Sequence, residues 1–134
     1  MLAPIENDAA DVERVIAAFA HSVPQGGLVV PGDSTTNAHR DLIVSLAAQH
    51  RLPAVYTNKF IVTAGGLMSY GVDWVHEFGQ AAFYVDRILR GALPADLPVQ
   101  AATKFVTALN VKTAKALGLA VPPGLLVAAD KVIE

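Results

Sequence analysis

Polar side chains gather in this chain wherever an apolar run gives out. Asp33, Ser34, Thr35 and Thr36 follow Gly27-Leu28-Val29-Val30 across a Pro31-Gly32 turn; Tyr56 closes Ala54-Val55; Ser69, Tyr70 and Asp73 follow Gly66-Leu67-Met68. Hydroxyls and a carboxylate beside the free N–H groups of a helix start suit a polar ligand, and Asp33 suits a cationic group there. A tyrosine in such a place can stack on a ligand while offering its hydroxyl. Each residue also has a plainer use. Asp33 to Thr36 are cap residues by type, Asp73 is an N-cap, and Tyr56 suits a ring half in the core. No cap role consumes Ser69 or Tyr70. The ligand-binding candidates are therefore Asp33, Ser34, Thr35, Thr36, Tyr56, Ser69, Tyr70 and Asp73.

Catalysis finds less support. Ser34, His39 and Asp33 make a hydrolytic triad on paper, but no GxSxG elbow frames the serine. His21, His50 and His76 have no ligand spacing, so no metal is expected. Neither GxxxxGK[ST] nor a strand-borne GxGxxG is present, and no cofactor is expected. The absence of cysteine excludes thiolate zinc sites, disulfides and cysteine nucleophiles.

These residues need a scaffold that brings strand ends together. The central stretch, Phe60 to Gly91, passes through a Gly65-Gly66 turn, a short extended run at Leu67–Tyr70 and a second turn at Gly71. From Asp73 to Arg90, Val75, Phe78, Ala82, Val85 and Leu89 form the stripe of an amphipathic helix, which Gly91 closes. Upstream, Leu2 to Ile5 reads as the tail of a strand, and Asp8 caps a helix carrying Val12, Val15, Ile16 and Phe19 on one face. Gly27 to Val30 is apolar throughout, as in a parallel strand covered on both faces. A helix over Asn37 to His50 and a buried strand Ala54–Tyr56 follow, while Thr57 to Ala64 suits a short helix or a loop. After a linker at Ala92 to Pro98, the pattern gives a strand over Lys104 to Leu109 and a helix Val111–Leu117 capped by Asn110. A last amphipathic segment covers Leu125 to Ile133. This alternation predicts a three-layer α/β domain with a mainly parallel sheet.

Length allows one domain of 134 residues. A net charge of −2 and no basic cluster speak against nucleic acid. Hydrophobic residues reach 53% and charged residues only 16%, a surface that calls for cover by another chain, lobe or domain. Met1-Leu2-Ala3-Pro4 lacks the basic and apolar regions of a signal peptide, so the chain as written reads as cytoplasmic.

In order, GGLVVPGDSTTNAHRDLIVSLAAQHRLPAVY, AGGLMSYGVDWVHEFGQAAFYVDRILRGALPADLPVQAATKF and LNVKTAKALGLAVPPGLLVAADKVIE resemble the C-terminal part of ABC-transporter substrate-binding proteins of the tryptophan/tyrosine type. HRLPAVY and GGLMSYG carry most of the likeness. The resemblance implies a type 1 periplasmic-binding-protein-like fold: two α/β lobes that close over a small polar or amino-acid-like ligand without catalysis. It implies an ABC permease as partner, and a periplasmic or lipid-anchored extracytoplasmic location for full-length members. Residues 1–71 would belong mostly to one lobe, 72–98 to a helix of the other, and 99–134 to a return strand and C-terminal helices. Asp33 to Thr36 and Tyr56 would edge the cleft, with Ser69 to Gly71 near a hinge crossing. Against that pattern the chain reads as a fragment, which suggests a homodimer formed through surfaces meant for the missing half. The alternatives are a structural remnant without ligand and, less favoured, a small Ser/His hydrolase.

Overall fold

Short runs rich in β-branched and aliphatic residues build the sheet, and side-chain caps start most of the helices. In the computed structural model, which describes residues 8–134, α1 (Ala9–Ser22) is capped by Asp8 and leads to β1 (Leu28–Val30). Two helices, α2 (Ser34–Ala38) and α3 (Arg40–Gln49), stand where the spacing predicts one. Asp33 and Thr36 form a reciprocal capping box that starts helix at Ser34, and the chain breaks at His39 before resuming. Next come β2 (Ala54–Tyr56), α4 (Lys59–Thr63), β3 (Met68–Val72) and α5 (Trp74–Leu89). Gly71 thus lies inside β3 rather than in a turn, paired with Val106. A 3-10 turn at Pro94–Asp96 precedes β4 (Phe105–Asn110), α6 (Val111–Ala116), α7 (Pro123–Ala128) and β5 (Lys131–Ile133). The segment Leu125 to Ile133 is therefore half helix and half strand. Pairing with β4 through Leu109↔Val132 outweighs its helical spacing, as β-branched Val132 and Ile133 favour. The strand reading of Leu2 to Ile5 lies outside the described residues.

The five strands lie in chain order, parallel except for the β3–β4 pair. On one face Val12 and Ile16 of α1, Ile43, Leu46 and Ala47 of α3, and Ile61 of α4 meet Val30, Ala54 and Tyr56. Because strand side chains alternate, the register Val30↔Tyr56↔Ser69↔Ala108 continues that face across the sheet. The β4–β5 crossover starts from a strand of opposite direction, so a right-handed path takes α6 and α7 to the other face. That second face buries Leu109 but leaves Val29 83% exposed. At the far end of β4, the Asn110 amide donates to the Val62 carbonyl (3.2 Å) and its Oδ1 accepts from Thr113 N–H (2.9 Å).

α5 has the predicted cap and the predicted stop, with Gly91 at φ 99°. Its stripe, however, is bare: none of its residues is buried, and Val75, Phe78 and Leu89 are each more than two-thirds exposed. Farther along, the helix bonds to its own return loop, where the Tyr84 hydroxyl donates to the Pro98 carbonyl (2.6 Å). A narrow neck joins this arm to the sheet. Asp73 N–H donates to the Lys104 carbonyl (2.9 Å), and Lys104 Nζ lies 3.0 Å from Asp73 Oδ2. The Lys104 hydrogen bond, with the N–H groups of His76 and Val75 and the lysine charge, holds the Asp73 carboxyl below its usual value against a partly desolvated setting.

Two outcomes follow from this packing. A Cβ on Gly71 would lie 1.8 Å from the Thr57 carbonyl oxygen, whereas one on Gly79 of α5 meets nothing within 4 Å. In urea unfolding, Gly71→Ala costs about 3 kcal/mol or more by overpacking, while Gly79→Ala is neutral or stabilises by up to about 1 kcal/mol through helix propensity. Equal effects would refute the close approach. For Asp73, a depressed folded pKa means a stability contribution present above the unfolded pKa and lost as pH falls through the folded one. Side-chain carboxyl NMR should give a midpoint below the peptide value of about 3.9; a midpoint at or above it contradicts the pairing.

Candidate functional site

The C-terminal ends of the parallel strands come out at one edge. Val30 stands beside Tyr56, and Tyr56 beside Ser69, so the loops after β1 and β2 leave level with the middle of β3. Thr57, the first residue beyond β2, is flanked by two glycines. A Cβ on Gly32 would come within 2.5 Å of its Oγ1, and one on Gly71 would overlap its carbonyl. Hydrogen in place of a side chain lets all three segments meet.

A cavity of about 70 Å³ opens at this junction. Thr57, Asn58, Lys59 and Phe60 form one wall, Gly71, Val72 and Val106 the floor, and Trp74 and Val75 the side toward the arm. Asn58 Oδ1 accepts from Phe60 N–H (3.0 Å) and starts α4. Asp73 Oδ1 accepts from Val75 N–H (3.2 Å) and starts α5. The N-terminus of α5, with its positive dipole end, thus borders the cavity together with Lys59. Phe60 is 68% exposed and Trp74, tilted against Phe78 at 6.4 Å, is 56% exposed, leaving aromatic surface at the rim. The arrangement offers a cationic side and an aromatic rim to a polar solute lying across its mouth.

The predicted site residues divide among several settings. Asp33 Oδ1 accepts from Thr36 N–H (2.8 Å), and Thr36 Oγ1 accepts from Asp33 N–H (3.1 Å) while donating to the Pro31 carbonyl (2.6 Å). Those two side chains are occupied by capping. Ser34 and Thr35 form the first turn of α2, beside the Gly32–Thr57 contact but outside the cavity lining. Tyr56 is buried, its ring edge against Gly66, and burial pushes its hydroxyl up to about 12. Ser69 is buried on the same face, whereas Tyr70 points to the other and stacks on Phe105 with centroids 5.3 Å apart. Asp73 stands at the cavity's border as cap and ion-pair partner. The edge therefore gathers Asp73 with Gly71, keeps the Asp33–Thr36 loop adjacent, and separates Tyr56 and Ser69 from Tyr70. Among the described residues Ser34 and His39 share no hydrogen bond, His39 serving as the joint between α2 and α3. No group of three or more His, Asp or Glu residues able to hold a metal occurs among the described residues.

Sequence reasoning did not propose the lining residues Thr57, Asn58, Lys59, Phe60, Trp74 and Val106. A signal was available for Asn58 to Phe60: Asn58 is a cap residue just beyond a buried strand, which marks a strand-end helix start.

Comparison with known proteins identifies the family and the fold. A family model described as ABC transporter substrate binding protein matches residues 4–133. A conserved domain protein from Vibrio cholerae has 27% identity and a TM-score of 0.81, over 93% of this chain and 42% of that one. An ABC domain in complex with L-Trp from Streptococcus pneumonia has 28% identity and a TM-score of 0.80, over 94% of this chain and 42% of that one. A ligand-free, open substrate-binding protein with adhesive properties from Clostridium difficile, at 20% identity and TM-score 0.68 over 94% of this chain and 41% of that one, shares the fold. Among curated proteins there is no significant match. The chain spans about two-fifths of the length of the solved structures it matches. No helix among the described residues is long and apolar enough to cross a membrane. With the family model matched over nearly its whole length, the chain belongs to the ABC transporter substrate-binding protein family.

Proposed function

We propose that this chain supplies one wall of a solute-binding cleft that captures an amino-acid-like ligand for an ABC-type import system, without chemistry on the ligand. The observation that carries this reading is the cavity at the strand ends, where Lys59 and the N-terminus of α5 adjoin the exposed rings of Phe60 and Trp74. An α-carboxylate suits the positive end and an apolar side chain the rim. The L-Trp complex of a relative at 28% identity and TM-score 0.80 supports an amino acid as the ligand class. Of the polar loop after β1, the backbone N–H of Thr35 and the second carboxylate oxygen of Asp33 serve as auxiliary contacts once a ligand extends beyond the cavity. Tyr70 contributes an aromatic surface on the far side of β3.

In this reading residues 72–98 belong to the opposing lobe of a two-lobed receptor, which accounts for a helix with no buried residue. Ligand contact with both lobes favours the closed state by population shift. Delivery to a membrane permease then places the binding step outside the cytoplasmic membrane.

Thermal shift and calorimetry with a panel of L-amino acids test the reading. At least one member, aromatic or large aliphatic, raises the melting temperature, as a ligand selective for the native state must. Phe60→Ala then weakens that binding by roughly tenfold or more, the loss corresponding to removal of a buried aromatic contact. A panel without any shift or heat refutes the proposal.

A further inference from the structure

The cavity's arm-side wall consists of Trp74 and Val75, and both sit on a helix that none of the described core supports. Something other than core packing must hold them over Thr57–Phe60. The two residues follow directly on Asp73, whose carboxylate faces two ways. Oδ1 accepts from Val75 N–H (3.2 Å) and, more weakly, from His76 N–H (3.5 Å), while Oδ2 meets Lys104 Nζ at 3.0 Å. Lys104 immediately precedes β4, which is paired with β3 residue by residue from Phe105↔Val72 to Leu109↔Met68. The chain of contacts therefore runs from the fixed sheet, through the lysine, to the first turn of the helix.

We propose that Lys104 is a positioning residue of the binding site, acting through Asp73 to fix Trp74 and Val75 against the cavity. The inference rests on the cavity being the ligand site, but its mechanical half stands without a ligand. The backbone bond from Asp73 N–H to the Lys104 carbonyl holds the neck at one point and leaves the helix free to swivel about it. The ion pair adds a second point of attachment, at the carboxylate that caps the first turn of the helix, and two points define a direction. Asp73 is nearly buried at 12% side-chain exposure while Lys104 remains 59% exposed, so the lysine side chain is a strap laid over the carboxylate from outside rather than part of a core. Removing it leaves every backbone bond of the β3–β4 pair in place.

Trp74 is the only tryptophan in the chain, so its emission reports the wall directly. The experiment compares wild type, Lys104→Met, Lys104→Arg and Asp73→Asn without ligand, by acrylamide quenching, anisotropy and far-UV circular dichroism. Lys104→Met keeps the aliphatic stem without the charge, and Asp73→Asn keeps a cap acceptor without the charge. Both raise quenching and lower anisotropy at unchanged circular dichroism, and Lys104→Arg restores the wild-type values. Calorimetry with L-phenylalanine, which does not compete for the tryptophan signal, then shows weaker binding in the first two variants only. Unchanged Trp74 emission in both charge-removing variants overturns the proposal, as does loss of circular dichroism, which would make the pair a folding requirement. Altered emission with no L-phenylalanine binding in any variant supports the mechanical role while counting against the assignment of the cavity.

Discussion

The Thr57 carbonyl lies where residue 71 has room only for a hydrogen, and the strand-end edge of this molecule depends on that contact. A Cβ there would overlap the oxygen at 1.8 Å, far inside any tolerable approach, and a second glycine at position 32 gives the same clearance to the Thr57 hydroxyl. Three consecutive parallel strands bring their ends to one side of a sheet by topology alone. Topology does not bring the loops beyond those ends into contact. The two glycines do, by letting the β2 loop settle between its neighbours, and the cavity walls from Thr57 to Phe60 stand where they stand for that reason.

From the same edge the chain leaves the sheet, and here the energetics change character. The face under α1, α3 and α4 is a packed core in which Val12 and Val62 are fully inaccessible. The arm has nothing comparable. Its large apolar residues stay in water, although burying one such side chain is worth about 1.5–3 kcal/mol. A helix in that state keeps its form through its cap, its return loop and the ion pair at the neck. It gains packing energy only when something covers it, and closure of a cleft is one event that would do so. Solvent exposure of the arm and proximity of its first turn to the cavity are thus two aspects of one arrangement, in which the arm-side wall is attached but not embedded.

Much of this was legible in the sequence because capping chemistry is local. Asp8, Asp73, Asn110 and Gly91 mark their helix ends by side-chain type, and each end falls within a residue or so of the mark. The continuous apolar character of Leu28–Val30 and Ala54–Tyr56 announced parallel strands for an equally local reason. The failures are non-local. Gly71 looks like a turn until β4 pairs with it from 35 residues downstream. Val132 and Ile133 look helical until β4 offers them a partner. The site shows the same division. Asp33 and Thr36 have the right types for ligand contact, yet their reciprocal bonds are a folding matter, and Ser69 and Tyr70 are neighbours in sequence that alternation sends to opposite faces. Thr57 gave no sign of its role, since that role lies in the two glycines around it.

The central claim is that the cavity between Thr57–Phe60 and Gly71–Val75 is where a solute lodges. Amide chemical-shift mapping during addition of an L-amino acid tests it without altering any residue. The account predicts the largest shifts at Thr57 to Phe60 and Gly71 to Val75, with little change at Asn110 and along α6 on the opposite end of the sheet. Shifts centred on that opposite end, or on α1, would contradict it.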